Sequence, residues 1–257
     1  MRTNGTSFDL LNFETATISL LGDRPENQDR VAMINEDGCV LIVVVDGMGG
    51  HAQGGRAAEV TLEVLKAAFE EAPKPIFDPQ GFLTLALAHA HDTVVGLGDG
   101  LALEEKPRAT CAICLVQKGG SYWAHVGDSR IYQFRDGRIT ARTRDHSHVE
   151  LLLRQGLISE AEIPDHPMRN FVECCLGGDA ALPHMSIAGK RELRPGDSLL
   201  VCSDGLWSGL GDKELGSKTS DKSISPEEAL RSLGEAAVAN NAPQSDNTSA
   251  VALRWLG

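Results

Sequence analysis

The residues best suited to chemistry are acids at the ends of apolar runs. Residues 40–45 (VLIVVV) run into Asp46-Gly47, and Asp128, preceded by Gly127, sits between the apolar segments 122–126 and 130–134. Asp204, followed by Gly205, closes the segment 197–202 (DSLLVC), and Asp246-Asn247 opens the last one. A single Asp at a strand end is an ordinary turn residue. Four of them, each beside Gly or Asn, form a set. Carboxylates held close together repel and would have to take up protons, and a divalent cation removes that cost. All-oxygen donors favour Mg²⁺, Mn²⁺ or Ca²⁺ over zinc or copper. Gly47, whose backbone carries no side chain, adds a carbonyl as a neutral ligand. Asp29 joins the set through a hairpin with the Asp46 strand.

The pattern of elements must bring these acids to one rim. In an antiparallel sheet the end of one strand lies beside the start of its neighbour. Strands are expected at 14–21, 31–34, 39–45, 109–116, 122–126, 130–134, 138–142, 197–202 and 249–255. The 39–45 run is apolar on both alternating faces, as in a strand covered on both sides. A hairpin centred between Glu36 and Asp37 pairs positions summing to about 73. Asp29 and Asp46 sum to 75, a position or so out of register. Helices are expected at 54–69, with a stripe of Ala57, Val60, Val64 and Ala68, and at about 82–96, with Phe82, Leu85, Ala86, His89 and Thr93 on one face. Pro73, Pro75 and Pro79 separate the two. Ser225-Pro226-Glu227-Glu228 opens a third helix whose buried side is Leu230, Leu233 and Ala237. Residues 145–190 are less apolar than their flanks and carry two capping boxes, Ser147 to Glu150 and Ser159 to Glu162. They read as a flap insert within a single domain spanning 1–257.

Composition narrows the classes. The 257 residues carry 24 Lys and Arg against 36 Asp and Glu, a formal charge of −12. Such a balance disfavours non-specific nucleic-acid or membrane-surface binding. No apolar run is long enough to span a bilayer, and residues 1–16 contain no signal-peptide core. A cytoplasmic protein with reduced cysteines is therefore expected. Cys111 and Cys114 form a CxxC, but on a strand they point to opposite faces and cannot share a metal.

The residues also resemble a known family. Arg24-x-x-Asn27-Gln28-Asp29, Asp46-Gly47-Met48-Gly49-Gly50, Gly127-Asp128-Ser129-Arg130, Asp145-His146-Ser147, Ser203-Asp204-Gly205-Leu206-Trp207 and Asp246-Asn247 occur in the order found in metal-dependent serine/threonine protein phosphatases, the PPM family of class 2C, bacterial branch. The resemblance runs from about Ser19 to Trp255. It implies an α+β fold, a four-layer α-β-β-α sandwich of two antiparallel sheets flanked by helix pairs. It also implies hydrolysis of phosphoserine and phosphothreonine in proteins by a metal-activated water, opposing a serine/threonine kinase, without a covalent intermediate.

By the resemblance, Asp46 would bridge two Mn²⁺ or Mg²⁺ ions and Gly47 would lend its carbonyl. Asp204 and Asp246 would complete the second ion's ligands, Asp29 would act through water, and Asp128 with Asp204 would hold the third metal seen in bacterial members. Arg24 would bind the substrate phosphate, a task its planar bidentate fork suits. Asn247, Thr110 and Gln28 would support these ligands. Two positions depart from the animal branch: Met48 stands where a proton-donating His is found, and Gln28 where Glu is found. His51 is the nearest substitute acid. The implied partners are phosphorylated proteins and a cognate kinase, with the enzyme a monomer. A docking module that keeps the fold without catalysis would lack some of these acids or Arg24, and an unrelated metal-dependent nuclease would carry a basic groove. Neither feature is seen here.

Overall fold

The computed structural model describes residues 11–48, 52–163 and 165–257, and two five-strand ladders form its centre. The first sheet runs β1 (Phe13–Leu20), β11 (Thr248–Trp255), β10 (Ser198–Cys202), β6 (Arg130–Arg135) and β7 (Arg138–Arg142). The second runs β2 (Asp29–Glu36), β3 (Cys39–Met48), β4 (Arg108–Gln117), β5 (Gly120–Val126) and β9 (Ser186–Glu192), with the two-residue β8 (Leu176–Gly177) against β4. All pairings are antiparallel.

Strand alternation explains why β3 is apolar on both faces. Val40, Ile42 and Val44 point between the sheets to meet Leu199, Val201, Val251 and Leu253. Cys39, Leu41, Val43 and Val45 point outward to α1 (Ala52–Glu71) and α2 (Pro79–Leu97). On the far side, Leu200, Cys202, Ala250 and Ala252 receive Leu230, Leu233 and Ala237 of α6 (Pro226–Asn241). The short α4 (Asp204–Trp207) and α5 (Asp212–Thr219) add Leu206 and Leu215 to that layer. The result is the expected α-β-β-α sandwich, although the outer pair on the β10 side joins one long helix to short ones. Cys111 and Cys114 face opposite cores as the strand period requires, and the six cysteines are free.

Four details differ from the sequence-based expectations. The β2–β3 turn is Asp37-Gly38, with φ of 48° and 73°. Both residues at positive φ define the two-residue turn whose twist suits a hairpin. The register therefore sums to 75 rather than 73, and Asp29 pairs directly with Asp46. In α1 the buried side is Ala57, Ala58, Val60, Leu65 and Phe69 with Thr61; Ala57 and Val60 are buried as expected, whereas Val64 and Ala68 are only partly buried. In α2 it is Leu83, Ala86, Leu87, Ala90 and Val94, leaving Leu85 72% exposed. The helices pack on each other as well as on the sheet, so their buried face is turned and widened relative to a single stripe. Pro79 begins α2 rather than breaking the chain, because Asp78 caps it by accepting from the Gly81 N–H and a first-turn Pro loses no helical hydrogen bond.

The insert between β7 and β9 is built on α3 (His148–Arg154), capped by Ser147. Its base is clipped to the Gly127 turn: the His146 N–H donates to the Gly127 carbonyl at 2.9 Å, and the Gly127 N–H reaches His146 Nδ1 at 3.3 Å. His146 stacks on His125 at 4.4 Å, and burial with the neighbouring His125 and His184 pushes its pKa down to about 3. A neutral His146 keeps Nδ1 available as an acceptor. Among the described residues no helix is long and apolar enough to cross a membrane.

Candidate metal centre

The acids meet where the two sheets share a rim. Asp46 lies near the C-terminal end of β3, with Asp29 opposite it on β2 and Thr110 opposite it on β4. The Gly127-Asp128-Ser129 turn crosses from β5 in one sheet to β6 in the other at this same rim. Asp204 follows β10 as the first residue of α4, and Asp246 stands two residues before β11.

Each acid is held by its own scaffold. Gly47 lies so close to the start of α1 that a Cβ there would come within 2.0 Å of the Gly54 carbonyl. Gly205 is equally confined, since its Cβ would fall 2.1 Å from the Asn247 carbonyl. Gly127 has φ of 97° and presses against the Thr110 side chain, so only glycine turns here. Thr110 Oγ1 shares a 2.7 Å hydrogen bond with Ser129 Oγ. Asn247 accepts from the Gln28 N–H at 2.8 Å and donates to the Leu21 and Glu26 carbonyls at 2.8 and 3.1 Å, fastening the 21–28 loop to the rim. The Gln28 side chain donates to Glu26.

Three contacts at the rim were not picked out from the sequence. Ser203 Oγ donates to Asp29 Oδ2 at 2.8 Å and accepts from the Ser249 N–H at 3.0 Å. Trp207 donates its indole N–H to the Asp128 carbonyl at 3.0 Å. Arg130 grips Asp145 with two bonds of 2.8 and 2.7 Å and lies over the Trp207 ring at 3.5 Å. The sequence signal for all three was adjacency: Ser203, Arg130 and Trp207 stand within three residues of an acid in the matched motifs.

Electrostatics show how closely the acids share the site. Burial pushes Asp29 up to about 6, with the charge of Asp246 adding to it. Burial and the charge of Asp145 push Asp128 up to about 7. Asp46 is raised well above the ordinary range by burial and then by Asp29, Asp204, Asp128 and Asp246. Asp204 is raised likewise by burial, Asp128, Asp246 and Asp29. Arg24 reaches Asp246 Oδ2 at 2.7 Å and is held firmly protonated by that bond, with further help from Asp204 and Asp46.

These donors fit a hard divalent cation. Asp29 Oδ1 and Asp204 Oδ1 are buried without a hydrogen-bond partner, a costly state for a carboxylate oxygen unless a cation takes it. The set is all oxygen, as Mg²⁺ and Mn²⁺ prefer. Among the described residues no three acidic, thiol or imidazole groups are gathered tightly enough to cage an ion as they stand. Like charges without a cation between them keep apart. His51 lies outside the described residues, and Met48 ends β3 with a side chain that has no proton to give.

Residues 21–249 match the model of the family described as protein phosphatase 2C. Protein phosphatase PhpP of Streptococcus pneumoniae is 31% identical over 205 residues, covering 77% of this chain and 82% of that one. The catalytic domain of serine threonine protein phosphatase PstP, solved in complex with two manganese ions, superposes with a TM-score of 0.80 at 26% identity, over 95% of this chain and 99% of that one. PppA, a key regulatory component of T6SS in Pseudomonas aeruginosa, superposes with a TM-score of 0.77 at 30% identity, over 96% and 99%. The chain belongs to the protein phosphatase 2C family.

Proposed function

We propose that this protein removes phosphate from phosphoserine and phosphothreonine in proteins, using two Mn²⁺ or Mg²⁺ ions held by Asp46, Gly47, Asp204 and Asp246. Asp29 would support them through water, and Asp128 with Asp204 would take a third. The observation that carries this reading is the pair of buried, unpartnered carboxylate oxygens on Asp29 and Asp204, facing a rim where Arg24 stands on the open side. When bound, divalent cations would acidify a water and shield the negative charge of a phosphate monoester.

The chain's own residues do the rest. Strand register and the glycine contacts bring Asp29, Asp46, Asp128 and Asp204 to one rim, and cation binding would draw them closer together. Arg24 and Asp246 form a surface pair, 54% and 38% exposed. Exposed pairs contribute about 0–1 kcal/mol, so Arg24 can leave Asp246 for a phosphate dianion. Its fork matches two phosphate oxygens at once. His51 is the proposed proton donor to the leaving seryl or threonyl oxygen. The implied counterpart is a serine/threonine kinase, and the reading is of a cytoplasmic, monomeric, single-domain enzyme.

The test is hydrolysis of p-nitrophenyl phosphate with and without Mn²⁺, in the parent and in Asp204→Ala. Turnover that needs the metal and disappears in the variant supports the reading. A folded parent that binds Mn²⁺ but turns nothing over would make it a docking module instead.

A further inference from the structure

We propose that the groove joining the metal centre to the insert selects phosphopeptides that carry a bulky aliphatic side chain close to the phosphorylated residue. The inference rests on the phosphatase reading and adds a substrate preference to it.

The groove has a volume of about 930 Å³, near the top of the range of about 300–1,000 Å³ for small-molecule sites. A phosphate group needs far less. Arg24, Asp204 and Asp246 line the same cavity as Val149, Leu153 and Ile163 of the insert. A chain whose phosphate sits at Arg24 therefore extends past an apolar wall. Val149 and Leu153 are four residues apart on α3 and so share one helical face. Trp207 and Pro243 face the cavity from the other layer.

Several of the charged side chains along this groove are paired within the protein, while Asp23 and Glu160 also line it. Arg130 is held by Asp145 at 2.7 Å, Arg142 by Asp212 at 2.8 Å, and Glu150 by Arg144 at 3.1 Å. An acidic or basic residue placed against these pairs would have to break into one of them, whereas an aliphatic one gains contact with the α3 face without such a cost. The wall is also fixed in place. Ser147 caps α3, the His148 N–H donates to the Phe171 carbonyl at 2.9 Å, the Glu173 N–H donates to the His146 carbonyl at 2.8 Å, and His148 pairs with Glu173 at 2.6 Å. A preorganised apolar face discriminates because little ordering is left to do on binding.

The experiment measures kcat/KM on phosphothreonine peptides in an Ala/Ser background, moving one Leu, Glu or Lys through successive positions on either side of the phosphate. p-Nitrophenyl phosphate is the control substrate. The parent should favour one or two Leu placements by about tenfold or more, the discrimination a hydrophobic pocket gives. Leu153→Asp should erase that preference through KM, and Leu153→Ala should reduce it, with p-nitrophenyl phosphate turnover unchanged in both. Leu153 is half-buried on a short helix away from the cores, so both variants should fold, as circular dichroism would check. Equal rates for all placements, a Glu or Lys preference, or a Leu preference that survives Leu153→Asp would each overturn the inference while p-nitrophenyl phosphate turnover upholds the phosphatase reading. Absence of turnover on every substrate would overturn both.

Discussion

Two regions of this protein bury carboxylates and treat them in opposite ways. Asp197, 1% exposed at the start of β10, accepts from Arg135 Nε and Nη2 at 2.7 Å each, from Gln133 Nε2 at 3.1 Å and from the Arg194 N–H at 3.0 Å. Burial alone would raise its pKa, but these donors hold it below the ordinary value. At the rim, Asp128 is buried and Asp46 and Asp204 are half-buried beside other carboxylates, and their pKa values rise. A carboxylate that serves the fold is given donors by the fold. A carboxylate left facing other carboxylates suits a cation, and the difference between the two regions supports the proposed metal centre more sharply than acid content does.

The largest test of that difference is Asp204→Ala. It should lower Mn²⁺-dependent turnover of p-nitrophenyl phosphate by about 10³-fold, some 4 kcal/mol of lost transition-state stabilisation. In metal-free protein the same change should leave the melting temperature equal or higher, because it removes a buried charge that repels its neighbours. A fall in metal-free stability would place Asp204 with Asp197 as a structural acid.

Cation binding comes next. At an Mn²⁺ concentration of about 100 times Kd, mass action stabilises the parent by about 2.7 kcal/mol, a rise of roughly 5–10 °C for a chain of this size. The rise should be much reduced in Asp204→Ala and intact in Asp197→Ala. pH separates the two regions again. Asp128 and Asp29 titrate near 7 and near 6 in the folded chain, above their unfolded values. In that window the folded state binds more protons, so metal-free stability falls as pH rises from about 4 to 7. Asp197 works the other way: its contribution is present above the unfolded carboxylate pKa and is lost as pH falls through its lower folded value. Melts in chelator at about pH 5 and pH 8 should show the parent less stable at the higher pH, with Mn²⁺ reversing the order.

Asp197→Ala should cost roughly 2 kcal/mol in urea unfolding, the scale for losing hydrogen bonds to a charged acceptor and stranding Gln133 and the Arg194 N–H. Arg135 is partly solvated, so the ion pair itself adds little. Turnover per folded molecule should not change.

The sequence made the rim legible because strand ends are legible. Six apolar β-branched and leucine residues leading into Asp46 place an acid at a lip whatever the neighbouring strands do, and antiparallel pairing brings ends and starts together. It left the exact register open, since Asn35-Glu36-Asp37-Gly38 allows more than one turn centre and only the positive φ of Asp37 and Gly38 decides between them. Helix faces were less legible: the apolar residues of α1 and α2 surround more than one stripe, and which stripe is buried depends on how the two helices lie against each other. The Ser203, Arg130 and Trp207 contacts join residues far apart in the chain, and neither period nor propensity carries that information.

The smallest predicted effect probes the join between the two kinds of acid. The two oxygens of Asp29 differ: Oδ2 accepts from Ser203 Oγ, and Oδ1 has no partner. Ser203→Ala removes that donor and leaves the Ser249 N–H without the hydroxyl it donates to at 3.0 Å. Loss of a buried hydrogen bond costs about 1 kcal/mol, readable as a shift of a few degrees in the melting temperature. Turnover should fall only severalfold, because Asp29 keeps its strand position opposite Asp46. If Asp29 serves the centre, added Mn²⁺ should offset part of the Ser203→Ala loss, the cation supplying the positive charge that the hydroxyl proton gave. A loss of the same size with and without Mn²⁺ would mean that Asp29 is held by the fold alone, as Asp197 is.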